Sequence, residues 1–210
     1  MHVDNGVGWV GWRRARGAGA LECDAAWAAP MPFAVVLSLD HAADAAVQAL
    51  SRRLDPTRFP GLISGGEVHA HISLAACEGL DVEQFRPVLA HFAAETPSVP
   101  CTLASLGVFP TDEGVIFLAP TASRALIDVQ EQMVDRLGRV GAQVGAYWVP
   151  GSWVPHCTLA IGIPRELIPA AVGVCHAAFR PISGHLRQVG LFEIGPVGPR
   201  YAFDLRPADR

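Results

Sequence analysis

Two short segments of the chain each place a histidine two residues before a hydroxyl side chain. One is His71-Ile-Ser-Leu, which contains Ser73, and the other is His156-Cys-Thr-Leu, which contains Thr158. Residues two apart on a β-strand share a face, so we expect each imidazole to lie beside its hydroxyl. The residues between them are apolar and are expected to face the core. Both strands would then present the same polar groups on one face.

This combination of side chains suits phosphoryl transfer without a metal. In-line displacement at phosphorus needs one proton removed from the attacking oxygen and another delivered to the leaving oxygen on the opposite side. Two histidines can act as base and acid because the imidazole titrates near neutral pH. The hydroxyls can donate hydrogen bonds to the non-bridging oxygens as charge develops there. The two motifs therefore predict a shared polar cleft.

The motifs belong to a longer internal repeat. The two histidines lie 85 residues apart, and a second pair of similar segments lies 83 residues apart. That pair is Leu103-x-x-Leu-Gly-Val-Phe109 and Leu186-x-x-Val-Gly-Leu-Phe192. Two matches at nearly one spacing indicate a duplicated lobe. We therefore expect two lobes that face each other across a cleft.

The spacing of apolar residues predicts the elements that carry these motifs. Strands are predicted at 33–39, 68–76, 101–109, 115–119, 146–149, 153–161, 186–194 and 200–205. Helices are predicted at 40–54, 82–94, 123–137 and 165–179, and a loop rich in Pro and Gly at 56–66. Strands that alternate with helices predict an α/β (or α+β) protein with both histidine motifs on strands.

The composition excludes several classes of function. The 210 residues are half hydrophobic, with 16 basic residues against 20 acidic ones and a net charge of −4. All the basic residues are arginine, which excludes a Schiff-base lysine and a phosphate-loop lysine. The acidic balance argues against a protein that coats nucleic acid. Five widely spaced cysteines without a C-x-x-C pair favour a reducing, cytoplasmic location over a disulfide framework.

Two stretches resemble targeting or membrane signals and are interpreted otherwise. Residues 1–30 are predicted to form a poorly ordered extension. One two-lobed domain is predicted at 31–210. Met31, immediately before the first strand, is a candidate functional start. The stretch 140–164 carries no Asp, Glu, Lys or Arg, but its three prolines predict a turn and a buried strand rather than a membrane span.

The paired motifs resemble those of the two-histidine (2H) phosphoesterases, which include 2′-5′ RNA ligase-like proteins and cyclic phosphodiesterases. The resemblance covers roughly residues 31–206. It implies a bilobal α/β fold in which two antiparallel sheets, flanked by helices, surround a central cleft. It also implies action, without metal or other cofactor, on 2′,3′-cyclic phosphates or 2′-5′ linkages of nucleotides or RNA ends. An arginine common after the second motif in the family is absent, since Ala-Ile-Gly-Ile stands at 160–163.

Carried over to this sequence, the resemblance makes His71 and His156 the catalytic acid–base pair. Ser73 and Thr158 become the hydroxyls that hold the phosphate. The expected partner is a nucleotide or one RNA terminus, bound by a monomer without a membrane or an extended nucleic-acid surface. Which histidine acts as the base is open, as is the choice between hydrolysis and ligation.

Two alternatives stay open. The same fold could serve as a nucleotide-binding module without catalysis. A metal-dependent hydrolase is the other alternative, with His69, His71 and His156 as ligands, because His69 shares a strand face with His71. The absence of a carboxylate beside either motif argues against the metal site.

Outside the motifs, the sequence nominates one further substrate contact. Trp153 precedes the second motif and is a candidate for stacking on a base, with core packing as the competing interpretation. Arginines near the cleft mouth would help to hold a phosphate. The sequence does not choose among Arg58, Arg124 and Arg200 for that position.

Overall fold

The computed structural model describes residues 31–60, 69–194 and 198–208, together with the backbone of Leu62–Ile63. The predicted extension at 1–30 lies outside the described residues, and the hypothesis of a start at Met31 stays a prediction.

The described residues form nine strands and four helices. The strands are β1 Phe33–Leu39, β2 Leu62–Ile63, β3 His71–Glu78, β4 Val99–Val108, β5 Ile116–Pro120, β6 Gln143–Val144, β7 Cys157–Ile161, β8 Ile182–Glu193 and β9 Gly198–Asp204. The helices are α1 His41–Ser51, α2 Val82–Glu95, α3 Arg124–Arg139 and α4 Ile168–Ala178. This mixed α/β content confirms the predicted fold class.

The strands form one antiparallel sheet, in which their order differs from their order in the chain, rather than the two sheets that were expected. The order is β2-β7-β5-β4-β8-β1-β3-β6, with β9 also paired to β8. Strand β8 joins the two halves because it is twelve residues long. Its first part, residues 182–186, pairs with β4, and its remainder pairs with β1 and β9. A long central strand of this kind keeps the hydrogen-bond ladder continuous.

The helices begin where the sequence supplies capping side chains. Asp40 accepts the backbone N–H of Ala43 at the start of α1. Asp81 caps α2 and Ser123 caps α3 in the same way. These caps are the reason that three of the four predicted helix starts agree with the structure to within a residue.

The segment before the second motif differs from the prediction. The predicted strand at 146–149 is a 3₁₀ turn, Ala146–Trp148, closed by a hydrogen bond from the Trp148 N–H to the Gly145 carbonyl. Strand β7 begins at Cys157 rather than at 153, after Pro155. A proline has no N–H to donate to a ladder, so pairing starts beyond it.

The predicted helix at 165–179 is divided in two. A 3₁₀ turn, Arg165–Leu167, precedes α4. Pro169 occupies the first turn of α4, where its missing N–H costs nothing, and therefore favours a helix start there.

No helix within the described residues has the length and the apolar run that a membrane crossing needs. The uncharged stretch 140–164 contains β6, the 3₁₀ turn and β7, in agreement with its interpretation as turn and buried strand.

Candidate functional site

The two histidines are held by matching hydrogen bonds. His71 is the first residue of β3, and His156 directly precedes β7. In each case the ring Nδ1 lies 2.8 Å from the carbonyl oxygen two residues earlier, that of His69 for His71 and that of Val154 for His156. A carbonyl only accepts, so Nδ1 carries the hydrogen on both rings. The Nε2 atoms take no part in these two bonds, so they are the ring atoms that can exchange protons.

The starts of β3 and β7 lie against each other, although the sheet ladder does not pair them. The backbone of His71 lies beside the Cys157 thiol, and the two imidazoles are close enough that His71 contributes to the lowered pKa of His156. The structure therefore brings together the two motifs that the sequence nominated, 85 residues apart in the chain.

Burial makes the neutral form of both imidazoles more favourable. It is the main cause of the lowered pKa of His71 and of His156, and the hydrogen bonds to the carbonyls oppose it only in part. Cys157 is fully buried, and burial raises its pKa to about 12. The thiol therefore stays protonated and is no nucleophile.

The two hydroxyl residues are partly exposed, in contrast to the apolar residues that alternate with them. Ile72 and Leu74 on β3 are completely buried, while Ser73 keeps part of its surface accessible. On β7, Leu159 is completely buried and Thr158 is partly accessible. This alternation is the one predicted from the strand period.

Three aromatic rings surround His156, and the sequence analysis did not place any of them next to its imidazole. Phe109 meets its ring edge-on with centroids 4.8 Å apart, and Phe117 lies at 5.5 Å. Trp148 is at 6.2 Å. Phe109 and Phe117 are themselves stacked at 4.4 Å. The apolar rings exclude water from one side of His156, which accounts for the desolvation of its imidazole.

Gly107 makes room for this cluster. A Cβ at Gly107 would lie 2.4 Å from the ring of Phe117, its partner across the β4–β5 pair. A Cβ at that distance would force the ring to move, so a glycine is needed for the ring to keep this position.

The internal repeat contains a signal that could have found two of these rings. Phe192 stacks on His71 with centroids 5.7 Å apart, while Phe109 contacts His156. Phe109 and Phe192 are the last residues of the matching segments at 103–109 and 186–192, one in each half of the repeat. Each phenylalanine therefore contacts the histidine of the opposite half, and the two halves of the repeat are exchanged between the two sides of the site.

A buried carboxylate supports the backbone on which His71 depends. Asp44 on α1 accepts the Ala70 N–H at 2.7 Å and lies 2.9 Å from Nδ1 of His69. Gln48 donates to the same carboxylate at 3.0 Å. Burial raises the pKa of Asp44, but these hydrogen bonds together outweigh it and the pKa is lowered overall. The ionised carboxylate thus holds the carbonyl of His69, which in turn orients His71.

His69 was a metal ligand in the metal-dependent alternative, but in the structure it contacts Asp44. Its side chain is 70% exposed and bonds Asp44. Within the described parts of the chain, no three His, Cys, Asp or Glu side chains cluster in a way that could hold a metal ion. The geometry of the site therefore does not favour a trio of His69, His71 and His156.

The structure ties Trp153 to the first motif. Its indole N–H donates to the carbonyl oxygen of Ser73 at 3.1 Å, and its ring packs partly against the core. This bond links the segment before β7 to β3. Stacking of Trp153 on a base stays a prediction.

The three candidate arginines are engaged with near neighbours. Arg124 pairs with Asp128 at 2.9 Å and Arg200 pairs with Glu193, while Arg58 lies over the ring of Phe59.

Comparison with solved structures shows the same fold in proteins of low sequence identity. A crystal structure of a phosphoesterase is 18% identical, with a TM-score of 0.58, and the alignment covers 85% of this chain and 99% of that chain. LigT of E. coli in complex with 3′-AMP is 14% identical, with a TM-score of 0.55 and coverage of 83% and 98%. TT0787 of Thermus thermophilus is 16% identical, with a TM-score of 0.56 and coverage of 85% and 100%.

Sequence comparison gives a family rather than an individual relative. No curated protein matches the chain. The family model of the 2′-5′ RNA ligase superfamily, the 2H phosphoesterases, matches residues 38–196, which include both histidine motifs and both phenylalanines of the repeat. The chain therefore belongs to the 2′-5′ RNA ligase superfamily.

Proposed function

We propose that this protein is a metal-independent phosphoesterase that opens 2′,3′-cyclic phosphates of nucleotides or RNA ends. The observation that carries the proposal is the matched pair of imidazoles, His71 and His156, each with Nδ1 tied to a carbonyl. That arrangement leaves two proton-exchanging Nε2 atoms on adjacent strand starts. Family membership supports phosphoester chemistry in general, and the complex of E. coli LigT with 3′-AMP supports a nucleotide as the ligand.

The reaction needs the two imidazoles in opposite protonation states. One neutral Nε2 removes a proton from water as the water oxygen attacks phosphorus. The protonated Nε2 of the other histidine gives its proton to the departing ribose oxygen as the P–O bond breaks. One water is consumed, the cyclic diester becomes a monoester, and the two histidines exchange their proton states. Solvent restores them before the next turnover.

The hydroxyls and the surrounding rings stabilise the same transition state. Ser73 and Thr158 donate hydrogen bonds to the non-bridging oxygens. The aromatic cluster around His156 keeps water away from one flank, which strengthens these interactions because the local dielectric is low. With an RNA 5′-hydroxyl in the place of water as the attacking group, the P–O5′ bond forms as the P–O3′ bond breaks, and the same groups would form a 2′-5′ linkage.

The decisive experiment assays the full chain on 2′,3′-cyclic nucleotides and on short RNAs with cyclic ends, with a chelator present. We expect turnover in wild type and a loss of about 10²–10⁴-fold in kcat for His71→Ala and for His156→Ala. His91→Ala is the matched control, because His91 is an exposed helix residue paired only with Glu95 in the described structure.

Full activity of either motif variant would disprove the acid–base pair. Tight nucleotide binding by wild type without turnover of any cyclic substrate would favour the binding-module alternative instead. Activity that the chelator abolishes and added metal restores would favour the metal-dependent one.

A further inference from the structure

A buried glutamine bonds the backbone beside both histidine motifs. Gln130 lies on α3 and is only 1% exposed. Its side-chain amide donates to the carbonyl oxygen of Trp148 at 2.6 Å and to that of Leu74 at 3.3 Å. Leu74 follows Ser73 in the first motif, and Trp148 ends the 3₁₀ turn that precedes the second motif. Gln130 takes no part in the proton transfers of the proposed reaction.

The first of these carbonyls belongs to an irregular position of β3. Ser73 and Ala75 face consecutive residues of β1, so Leu74 between them has no partner on β1 in this ladder. An extra residue of this kind is a β-bulge, which locally disrupts the ladder and changes the direction of nearby side chains. Leu74 is completely buried, and a buried carbonyl is costly without a donor. The Gln130 amide provides a donor at this point, next to the hydroxyl residue of the first motif.

The second carbonyl belongs to a residue whose ring contacts the other histidine. The centroid of the Trp148 ring lies 6.2 Å from that of His156. Trp148 lies in a single 3₁₀ turn, Ala146–Trp148, and not in a strand of the sheet. One short turn has few bonds of its own, so a bond from a packed helix restricts its position. The 2.6 Å bond from Gln130 therefore helps to fix the Trp148 ring beside the imidazole.

Two further bonds fasten the segment before β7 to β3. The Gly145 N–H donates to the Ala76 carbonyl at 3.0 Å, and the Trp153 indole N–H donates to the Ser73 carbonyl at 3.1 Å. Each of these bonds joins the two segments directly. Gln130 differs because it bonds both segments from a third element, α3, which packs against β3 and β6.

We propose that Gln130 is a positioning residue that sets the separation between the two histidine motifs. This inference rests on the proposed function and extends it. The amide holds the backbone next to Ser73 and the turn next to His156 at the same time. In-line displacement needs the hydroxyl of one motif and the imidazole of the other on a single phosphate. A misplacement of about 1 Å can lower the rate of such a reaction about 10²-fold.

The first test replaces the amide with an apolar side chain of similar length. Gln130→Met removes the donor to both carbonyls. We expect kcat on a 2′,3′-cyclic nucleotide to fall about 10-fold to 10²-fold with little change in KM, because the reacting groups are misplaced but not lost. Gln130→Glu keeps the shape of the side chain, but a carboxyl group donates at most one hydrogen, so kcat should fall in this variant as well.

A histidine NMR titration gives a second readout, which needs no turnover. Burial is the main cause of the lowered pKa of His156, and the Trp148 ring is part of its apolar surroundings. In Gln130→Met we expect the pKa of His156 to rise toward its ordinary value, and to rise more than that of His71. Trp148→Ala should cause a similar rise, and Gln130→Met added to it should change the pKa little further. The His156 signal is assigned by its loss in His156→Gln.

Leu137→Ala is the matched control for a loss of stability. Leu137 is a completely buried residue of α3, about 10 Å along the helix axis from Gln130. We expect it to lower the unfolding temperature at least as much as Gln130→Met does, while kcat and the His156 titration stay those of wild type. An equal loss of kcat in Leu137→Ala would overturn the inference, since Gln130 would then act only through stability. So would an unchanged kcat and an unchanged His156 titration in both Gln130→Met and Gln130→Glu.

The two readouts separate this inference from the proposed function. If wild type opens no cyclic phosphate but Gln130→Met shifts the His156 titration, the proposed function fails and the positioning role stands. If wild type opens cyclic phosphates and Gln130→Met leaves both kcat and the His156 titration unchanged, the positioning role fails and the proposed function stands.

Discussion

At the scale of single residues, the site depends on two imidazoles whose environments differ although their hydrogen bonds match. His71 stacks on one ring, Phe192, whereas His156 has three aromatic neighbours. The charge of His71 also contributes to the lowered pKa of His156. The pKa of each is lowered, chiefly by burial. Two interacting acid–base groups lose their protons in two steps, and the apparent pKa values of these steps belong to the pair rather than to either residue.

The lowered pKa values predict the pH dependence of the reaction. Activity falls at low pH as the base becomes protonated, and at high pH as the acid loses its proton. Because both pKa values lie below the ordinary value of 6.5, we expect a bell-shaped kcat/KM profile centred on the acidic side of 6.5. An anionic substrate raises both values, so the kcat profile should lie at higher pH. A kcat/KM profile that is flat between about pH 5 and 8 would contradict the assignment.

The hydroxyls permit a prediction with a graded outcome. Ser73→Ala and Thr158→Val each remove one donor to the developing charge on phosphate. We expect each to lower kcat about 10²-fold, with a smaller effect on KM, because the bond is strongest in the transition state. Thr158→Ser should restore most of the activity lost in Thr158→Val. An effect confined to KM would show that the hydroxyls only hold the ground state.

At the scale of elements, α1 contributes to the site without contacting its reacting atoms. Its buried Asp44 bonds the backbone N–H of Ala70 and the side chain of His69, and the carbonyl of His69 orients His71. The N-terminus of the same helix is capped by Asp40, which serves the fold rather than the site. The two carboxylates, Asp44 on the helix and Asp40 at its N-cap, allow a matched comparison.

We expect Asp44→Asn to lower kcat about tenfold and to shift the pH profile, since the His71 ring loses its fixed orientation. KM should change little. Asp40→Asn is the control: the loss of a capping charge costs up to about 1 kcal/mol of stability but does not reach His71. Equal effects of the two substitutions on kcat would mean that Asp44 acts only through stability.

Strand β4 supports the other side of the site through a single small residue. We expect Gly107→Ala to displace the Phe117 ring, because the added Cβ would lie 2.4 Å from it. Overpacking of this kind costs about 1–3 kcal/mol, and it should also lower kcat because the rings around His156 move. Gly138→Ala on α3, where a Cβ meets nothing within 4 Å, is the matched control and should not destabilise the protein. Thermal unfolding of both variants checks this prediction.

At the scale of the whole molecule, one long strand connects the two halves of the repeat. Strand β8 pairs with β4 on the His156 side and with β1 on the His71 side. Each half also supplies a phenylalanine to the opposite histidine. The site is therefore a property of the joined sheet, and neither half of the chain contains it alone.

Stability should depend on the same imidazoles. A histidine whose folded pKa lies below its unfolded value binds its proton more readily when the chain unfolds. Stability is therefore complete above about 6.5 and falls as the pH drops through the window between the unfolded and folded values. We expect the urea midpoint to decrease over that window, and the double variant His71→Gln/His156→Gln to show a shallower decrease. Identical slopes would contradict the pKa directions.

The sequence by itself determined the class of fold, the two motifs and most element positions. Strand alternation and side-chain caps such as Asp40 and Ser123 act between near neighbours, and local interactions of that range can be read from the chain. The histidine pair could also be identified from the sequence, because the repeat places the same residue types at a nearly constant spacing.

Only the tertiary structure decided the surroundings of that pair. The contacts of Phe109 with His156, the bonds of Asp44 to residues 69 and 70, and the merging of two expected sheets into one all join positions distant in the chain. A periodic pattern states which face of an element is buried but not which element covers it. Packing selects those partners, and packing therefore set the directions of the histidine pKa shifts, which the sequence could not reveal.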